Sequence, residues 1–230
     1  MTTFPGLPAD YFRFFKDIRE NNNREWFNDN KQRFRESVQE PLASLVEAMA
    51  PRLKKISKHF VADPRLNGGS VFRIYKDVRF SKDKTPYKTH GAVQFRHALG
   101  KNAHAPGFYI HLDPAEIFYG GGIWTPPSPQ LKMIRESIQR HPAVWEKATT
   151  SADFKNRFGE LRGDGLVRPP RGFDAEHPLI ADIKRMSFFA MAQGKPVQVK
   201  KSTFCADIEE AMKDAKPLMK FLCDAVGAPI

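Results

Sequence analysis

Hydrophobic positions along the chain recur first with a helical period, then with the period of a strand, then with a helical period again. Tyr11, Phe14, Phe15 and Ile18 fall three and four residues apart, and Trp26, Phe27, Phe34 and Val38 extend the pattern into a second amphipathic run. Pro41 suits the first turn of a third helix, where its missing N–H would have no partner anyway. Leu42, Leu45, Val46, Met49, Leu53 and Ile56 then form the buried stripe. These aromatic and aliphatic residues are read as core.

From Val71 the period changes. Val71 to Tyr75, Gly91 to Arg96, Gly107 to Asp113 and Glu116 to Trp124 combine β-branched and aromatic content with alternation and Gly or Pro boundaries, so each is expected to be a strand. The short link Asp113-Pro114-Ala115 predicts an antiparallel hairpin between the last two. Helical spacing resumes at Ser128-Pro129 with Leu131, Ile134 and Ile138, and further helices are expected at Val144 to Thr149, Asp153 to Phe158, Leu179 to Phe189 and Phe204 to Val226. Gly159 to His177, rich in Gly, Arg and Pro, reads as irregular surface loop. No strand–helix–strand alternation is present. The expected class is therefore α+β, a central antiparallel sheet of about four or more strands flanked by N-terminal and C-terminal helices.

Composition narrows this picture. A chain of 230 residues with 41% apolar residues and 19 phenylalanines can fill one core, and neither a linker nor a repeat interrupts it, so a single domain over residues 1–230 is expected. Cys205 and Cys223 both fall in apolar helical stretches, which offers neither a disulfide framework nor a CxxC metal knuckle and fits a reducing compartment. The opening residues lack the pattern of a signal peptide, and no stretch reaches the ~20 apolar residues of a membrane span, so the expected location is the cytoplasm. Lys and Arg number 37 against 26 Asp and Glu, a net charge of +11. That excess favours anionic partners, whether phosphorylated small molecules, nucleic acid or acidic protein, and equally suits a well-solvated surface.

Candidate chemistry concentrates in Phe72 to His90, FRIYKDVRFSKDKTPYKTH. Its nineteen residues carry six bases (Arg73, Lys76, Arg79, Lys82, Lys84 and Lys88) and two acids (Asp77 and Asp83). A close set of cations on a loop held by strands can receive a phosphate or carboxylate, the planar fork of Arg73 and Arg79 giving direction and the lysines acting as point charges. On a continuing strand, Arg73, Tyr75, Asp77 and Arg79 would share a face. A salt-bridged strand with a lysine-coated loop is the structural alternative.

Downstream, Tyr109, His111 and Asp113 share one side of an alternating strand, where an imidazole can act as general acid or base; the H-x-D pair alone lacks the ligand count of a zinc site. His90 closes the cationic loop. Gly121 and Gly122, in the run Gly120-Gly121-Gly122, are a candidate anion contact through backbone N–H groups, although such a run more often marks a close backbone approach, and no GxGxxG or GxxxxGK[ST] is present. Ser81 has no base in sequence and reads as a turn residue.

The segments FRIYKDVRFSKDKTPYKTH, PGFYIHLDPAE and GGGIWTPPSPQLKMIR resemble the signature of an uncharacterised bacterial family, domain of unknown function 2461, and the resemblance extends over nearly the whole chain. The matching positions are Arg73, Asp77, Arg79, Phe80, Ser81, Asp83, Lys84, Pro86, Tyr87 and Lys88, with Gly121, Gly122 and Trp124 downstream. Lys76 stands where many members are expected to carry arginine. The resemblance supplies no reaction, ligand, cofactor or metal. The residues themselves suggest an enzyme or binding domain for a small anionic molecule. Arg73, Arg79, Ser81, Lys84, Lys88, Gly121, Gly122 and Trp124 would bind, and Asp77, Asp83, Tyr87, His90 and His111 would orient the ligand or move protons. A non-specific nucleic-acid binder, with Tyr87, Phe80 or Trp124 stacking on bases, and a structural or protein-interaction domain are the competing readings.

Overall fold

The computed structural model describes residues 3–100 and 106–230. The first helices are α1 (Asp10–Glu20) and α2 (Arg24–Asp29). A continuous helical stretch follows, from α3 (Lys31–Phe34) through a π turn (Arg35–Gln39) into α4 (Glu40–Ile56). Pro41 therefore lies inside this stretch rather than opening a separate helix. The widened turn falls where Pro41 removes the bond its N–H would make one turn back and where its ring would crowd that carbonyl.

Among the described residues, five strands form one antiparallel meander in sequence order: β1 (Phe60–Val61), β2 (Gly91–His97), β3 (Gly107–Leu112), β4 (Ile117–Ile123) and β5 (Phe188–Gly194). The fold is α+β. Val71 to Tyr75, expected as a strand, makes only isolated bridges, Val71 to Val93 and Tyr75 to Tyr87. It runs along the edge of β2 beyond the two residues that β1 covers, and Phe72 and Gln94 exchange backbone bonds there with Ala92 and Ser70. The β3–β4 hairpin forms in the expected place. After it come α5 (Ser128–Arg140), α6 (Pro142–Thr150), α7 (Ala152–Phe158) and α8 (Ile180–Ile183), then β5, α9 (Pro196–Val199) and the long α10 (Phe204–Ala225). The helix expected over Leu179 to Phe189 ends at Ile183. Phe188 and its successors pair with β4 instead, because strand pairing satisfies every backbone group along an otherwise open edge and outweighs the helical preference of Ala and Met.

Alternation along the strands sorts the sheet into two faces. Phe95, Phe108, Ile110, Tyr119, Ala190 and Ala192 are buried toward the helices. There α10 brings Phe204 edge-on to Tyr119 at 5.6 Å, and a Cβ at Gly121 would press on the Phe108 ring and the Met219 sulfur at 2.8 and 2.9 Å. At roughly 25 cal/mol per Å² of apolar surface removed from water, this layered core of phenylalanine and aliphatic side chains is the main source of stability. Cys205 and Cys223 are free and buried in α10, and burial pushes their thiols up to about 11 and about 12. No described helix is long and apolar enough to cross a membrane.

Candidate functional site: the second face of the sheet

The face turned away from α10 is organised in cross-strand rows. Arg96, Gly107, Gly122 and Phe189 form one; Gln94, Tyr109, Gly120 and Met191 the next; Ala92, His111, Phe118 and Gln193 the third. Two rows thus have glycine at their centre and larger side chains at their ends, and a lined hollow results. Phe72 from the β2 edge, Trp124 just after β4 and Arg162 from the loop before α8 stand around it. The cavity measures about 460 Å³, within the range of small-molecule sites, and its remaining walls are Gln94, Tyr109, Phe118, Phe189 and Met191. Trp124 lies tilted against Phe189 at 5.3 Å, Phe72 meets Tyr109 edge-on at 6.0 Å, and Arg96 and Lys88 each place a cationic group over the Phe72 ring, at 5.9 and 5.7 Å. Arg162 is anchored through its backbone to Phe189, and the Gln193 amide, with its oxygen toward the guanidinium, accepts from it at 3.0 Å.

The glycine run lies inside β4. A Cβ at Gly120 would overlap the Ala190 carbonyl and one at Gly122 the Phe188 carbonyl, so these glycines permit the close approach of β5. Their N–H groups belong to the sheet rather than to the start of α5. Gly121 faces the helices, while Gly122 lines the hollow. The anion contact expected of Gly121 and Gly122 has no open backbone cradle here.

Beside the hollow, three groups converge. Register places Gly91 opposite Leu112 and Ala92 opposite His111, so His90, His111 and Asp113 fall together at the end of the second face. One donor atom from each lies within 4.8 Å of the others. The imidazoles of His90 and His111 are 4.3 Å apart, and His111 lies flat on Phe118 at 4.4 Å. Tyr109 Oη is 3.3 Å from His111 Nδ1, and Glu116 Oε1 is 3.9 Å from Nε2. Asp113 accepts from Arg19 at 3.0 Å and from the Ala115 N–H at 2.7 Å. Burial pushes the His90 imidazole down to about 4, helped by neighbouring His111, and burial likewise lowers His111. Burial thus favours the neutral imidazole, which carries a nitrogen lone pair, at both positions. Burial raises the Tyr109 hydroxyl to about 12.

The cationic segment is arranged differently from its expected convergence. Arg79 pairs with Asp77 at 2.7 Å, the two lying exposed, and Lys76 pairs with Asp83 at 2.8 Å. Lys84 donates to the Val78 carbonyl, and Lys88 donates to those of Arg73 and Tyr75. Arg73 and Ser81 are exposed, and Phe80 is 95% exposed at the tip. The reason is local: in Asp77-x-Arg79, Asp83-x-Thr85 and Asp63-x-Arg65 the carboxylate accepts the N–H two residues on, which folds the neighbouring side chain back onto it. Arg79 draws Asp77 down to about 2, and Lys76 holds Asp83 below the usual carboxylate range. Tyr87 is buried against Phe27 at 4.3 Å, its backbone held by Asn22, and so belongs to the core. Of the expected site residues, the structure brings His90 and His111 together and seats Gly122 and Trp124 in the hollow, with Lys88 over Phe72 at its rim. It leaves Arg73, Asp77, Arg79, Ser81, Asp83 and Lys84 on the outer loop. Phe72, Arg162, Phe189 and Met191 were missed; the only sequence signal for them is that a Gly-Gly-Gly strand needs a closely packed partner.

These features define an α+β protein whose antiparallel sheet packs helices on one face and carries an aromatic hollow with a two-histidine, one-carboxylate cluster on the other. The chain belongs to the family described as conserved hypothetical protein (DUF2461), whose model matches residues 10–221. No curated protein and no solved structure matches the chain significantly.

Proposed function

We propose that the protein is a small-molecule-binding domain whose site is the hollow on the second face of the sheet, and that its ligand is flat, largely apolar and anionic at one end. The observation that carries this reading is the grouping of Phe72, Tyr109, Phe118, Trp124 and Phe189 around a glycine-floored cavity with a single guanidinium, Arg162, among its lining residues. Aromatic walls favour a planar ligand through offset or edge contacts, and Arg162 supplies the fork that a carboxylate, sulfonate or phosphate takes. The anionic preference expected from the charge balance is thus kept, while the contact passes from the 73–90 loop to Arg162.

Anilinonaphthalene sulfonate has the required shape and charge and serves as the probe. A fluorescence titration is expected to give one site per chain. Trp124→Ala is expected to weaken it by about 10-fold, the scale of one lost aromatic contact, and Arg162→Gln is expected to weaken it as well. Affinity unchanged in both folded variants defeats the proposal.

A further inference from the structure

We propose that His90, His111 and Asp113 form a binding site for a divalent transition-metal cation. The three donors come from separate parts of the chain, the turn before β2, the body of β3 and the residue after it, and lie within 4.8 Å of one another. Around a tetrahedral ion with bonds of about 2.0–2.2 Å, ligand atoms stand roughly 3.4 Å apart, so small side-chain rotations bring the set into coordination. Two imidazoles and one carboxylate match the preference of zinc and its first-row neighbours, whereas magnesium and calcium favour oxygen throughout.

The surroundings are those of a supported site. Tyr109 Oη reaches His111 Nδ1 at 3.3 Å, which orients the ring and leaves Nε2 for the ion. Phe118, lying parallel to that ring at 4.4 Å, restricts its rotation. Arg19 and the Ala115 N–H hold Asp113 in place, and a carboxylate offers about four acceptor positions, so capacity remains for a metal bond. Glu116 Oε1, 3.9 Å from His111 Nε2, is within reach as a fourth ligand. Because Tyr109 and Phe118 also wall the hollow, an ion here would border the ligand space. The inference does not depend on the organic-ligand reading, since it is tested without any such ligand.

The test uses full-length protein stripped with a chelator and dialysed. Calorimetric titration with Zn²⁺ is expected to show one site per chain in the micromolar range or tighter, and Co²⁺ is expected to develop visible d–d absorption. His90→Gln and His111→Gln are each expected to lower zinc affinity at least 10-fold, with His141→Gln, at an exposed position, unchanged. Absence of saturable one-to-one binding and of the cobalt spectrum in the unmutated protein overturns the proposal, whether or not the variants fold. Retention of full affinity in either folded histidine variant also overturns it.

Discussion

Asp10 shows how much a single side chain can organise in this protein. Its carboxylate accepts two bonds of 2.7 Å from Arg33 and one of 3.0 Å from Ser37, while Arg33 also donates to Asp17 at 2.8 Å, so one guanidinium fastens α1 to the helical stretch from α3. Arg33 holds the Asp10 carboxyl below its ordinary value of 3.8. In the acid range the unfolded chain therefore binds more protons at this residue than the folded one. The stabilisation is fully present above about pH 4 and is lost as pH falls through and below the ordinary carboxylate value. Asp10→Asn is expected to flatten the acid limb of a melting-temperature profile between pH 5 and about 2.5; an unchanged slope would mean the interaction contributes nothing. The pairs in the cationic loop behave otherwise. Arg79 is largely exposed and bonds mainly to its own neighbour Asp77, so Arg79→Ala is expected to leave the midpoint of urea unfolding essentially unchanged. A midpoint shifted strongly to lower urea would instead reveal a structural lock.

At the scale of elements, β4 decides the form of the second face. Its glycines let β5 approach closely, and the bare floor they leave is what the aromatic side chains surround. Gly122→Ala would drive a methyl group into the Phe188 carbonyl. A loss of about 1–3 kcal/mol is expected, seen as a drop of several degrees in Tm, and an unchanged Tm would contradict the tight β4–β5 approach. What could be read from sequence divides along the same line. His111 and Asp113 were visible as one side of a strand because alternation is local. Their meeting with His90 was not, since it depends on the register of Gly91 against Leu112, a pairing across the 98–106 connection. β5 is not legible in the sequence: the expected helix runs through Phe188 and Phe189 and leaves residues 190–194 unassigned, because Ala190, Met191 and Ala192 have little strand preference of their own and become strand only with β4 alongside. α1, β2, β3 and α10 are legible because each carries its own local period, whereas the π turn that joins α3 to α4 breaks the helical period and is not.

For the whole molecule, the antiparallel meander separates two tasks. One face, with α4 and α10, builds the core; the other is left half-open and gathers side chains from the β2 edge, the end of β4 and the loop before α8 around a concave surface. Charge is distributed differently. Lys76, Arg79, Lys84 and Lys88 of the 73–90 segment are met by Asp83, Asp77 and backbone carbonyls on the spot, so the densest charge in the sequence does not mark the aromatic hollow of the sheet. Net charge is a property of composition, and composition carries no information about which direction a side chain takes.

Ligand binding is expected on the glycine-floored face of the sheet and not on the cationic loop. The most direct measurement is a map of backbone amide shifts in ¹⁵N-labelled protein titrated with anilinonaphthalene sulfonate. Saturating shifts are expected at Gly107, Tyr109, Gly122, Met191 and Arg162, with Lys76 to Lys84 unmoved. Shifts centred on the exposed Phe80 and its neighbouring lysines, with the sheet residues silent, would contradict it.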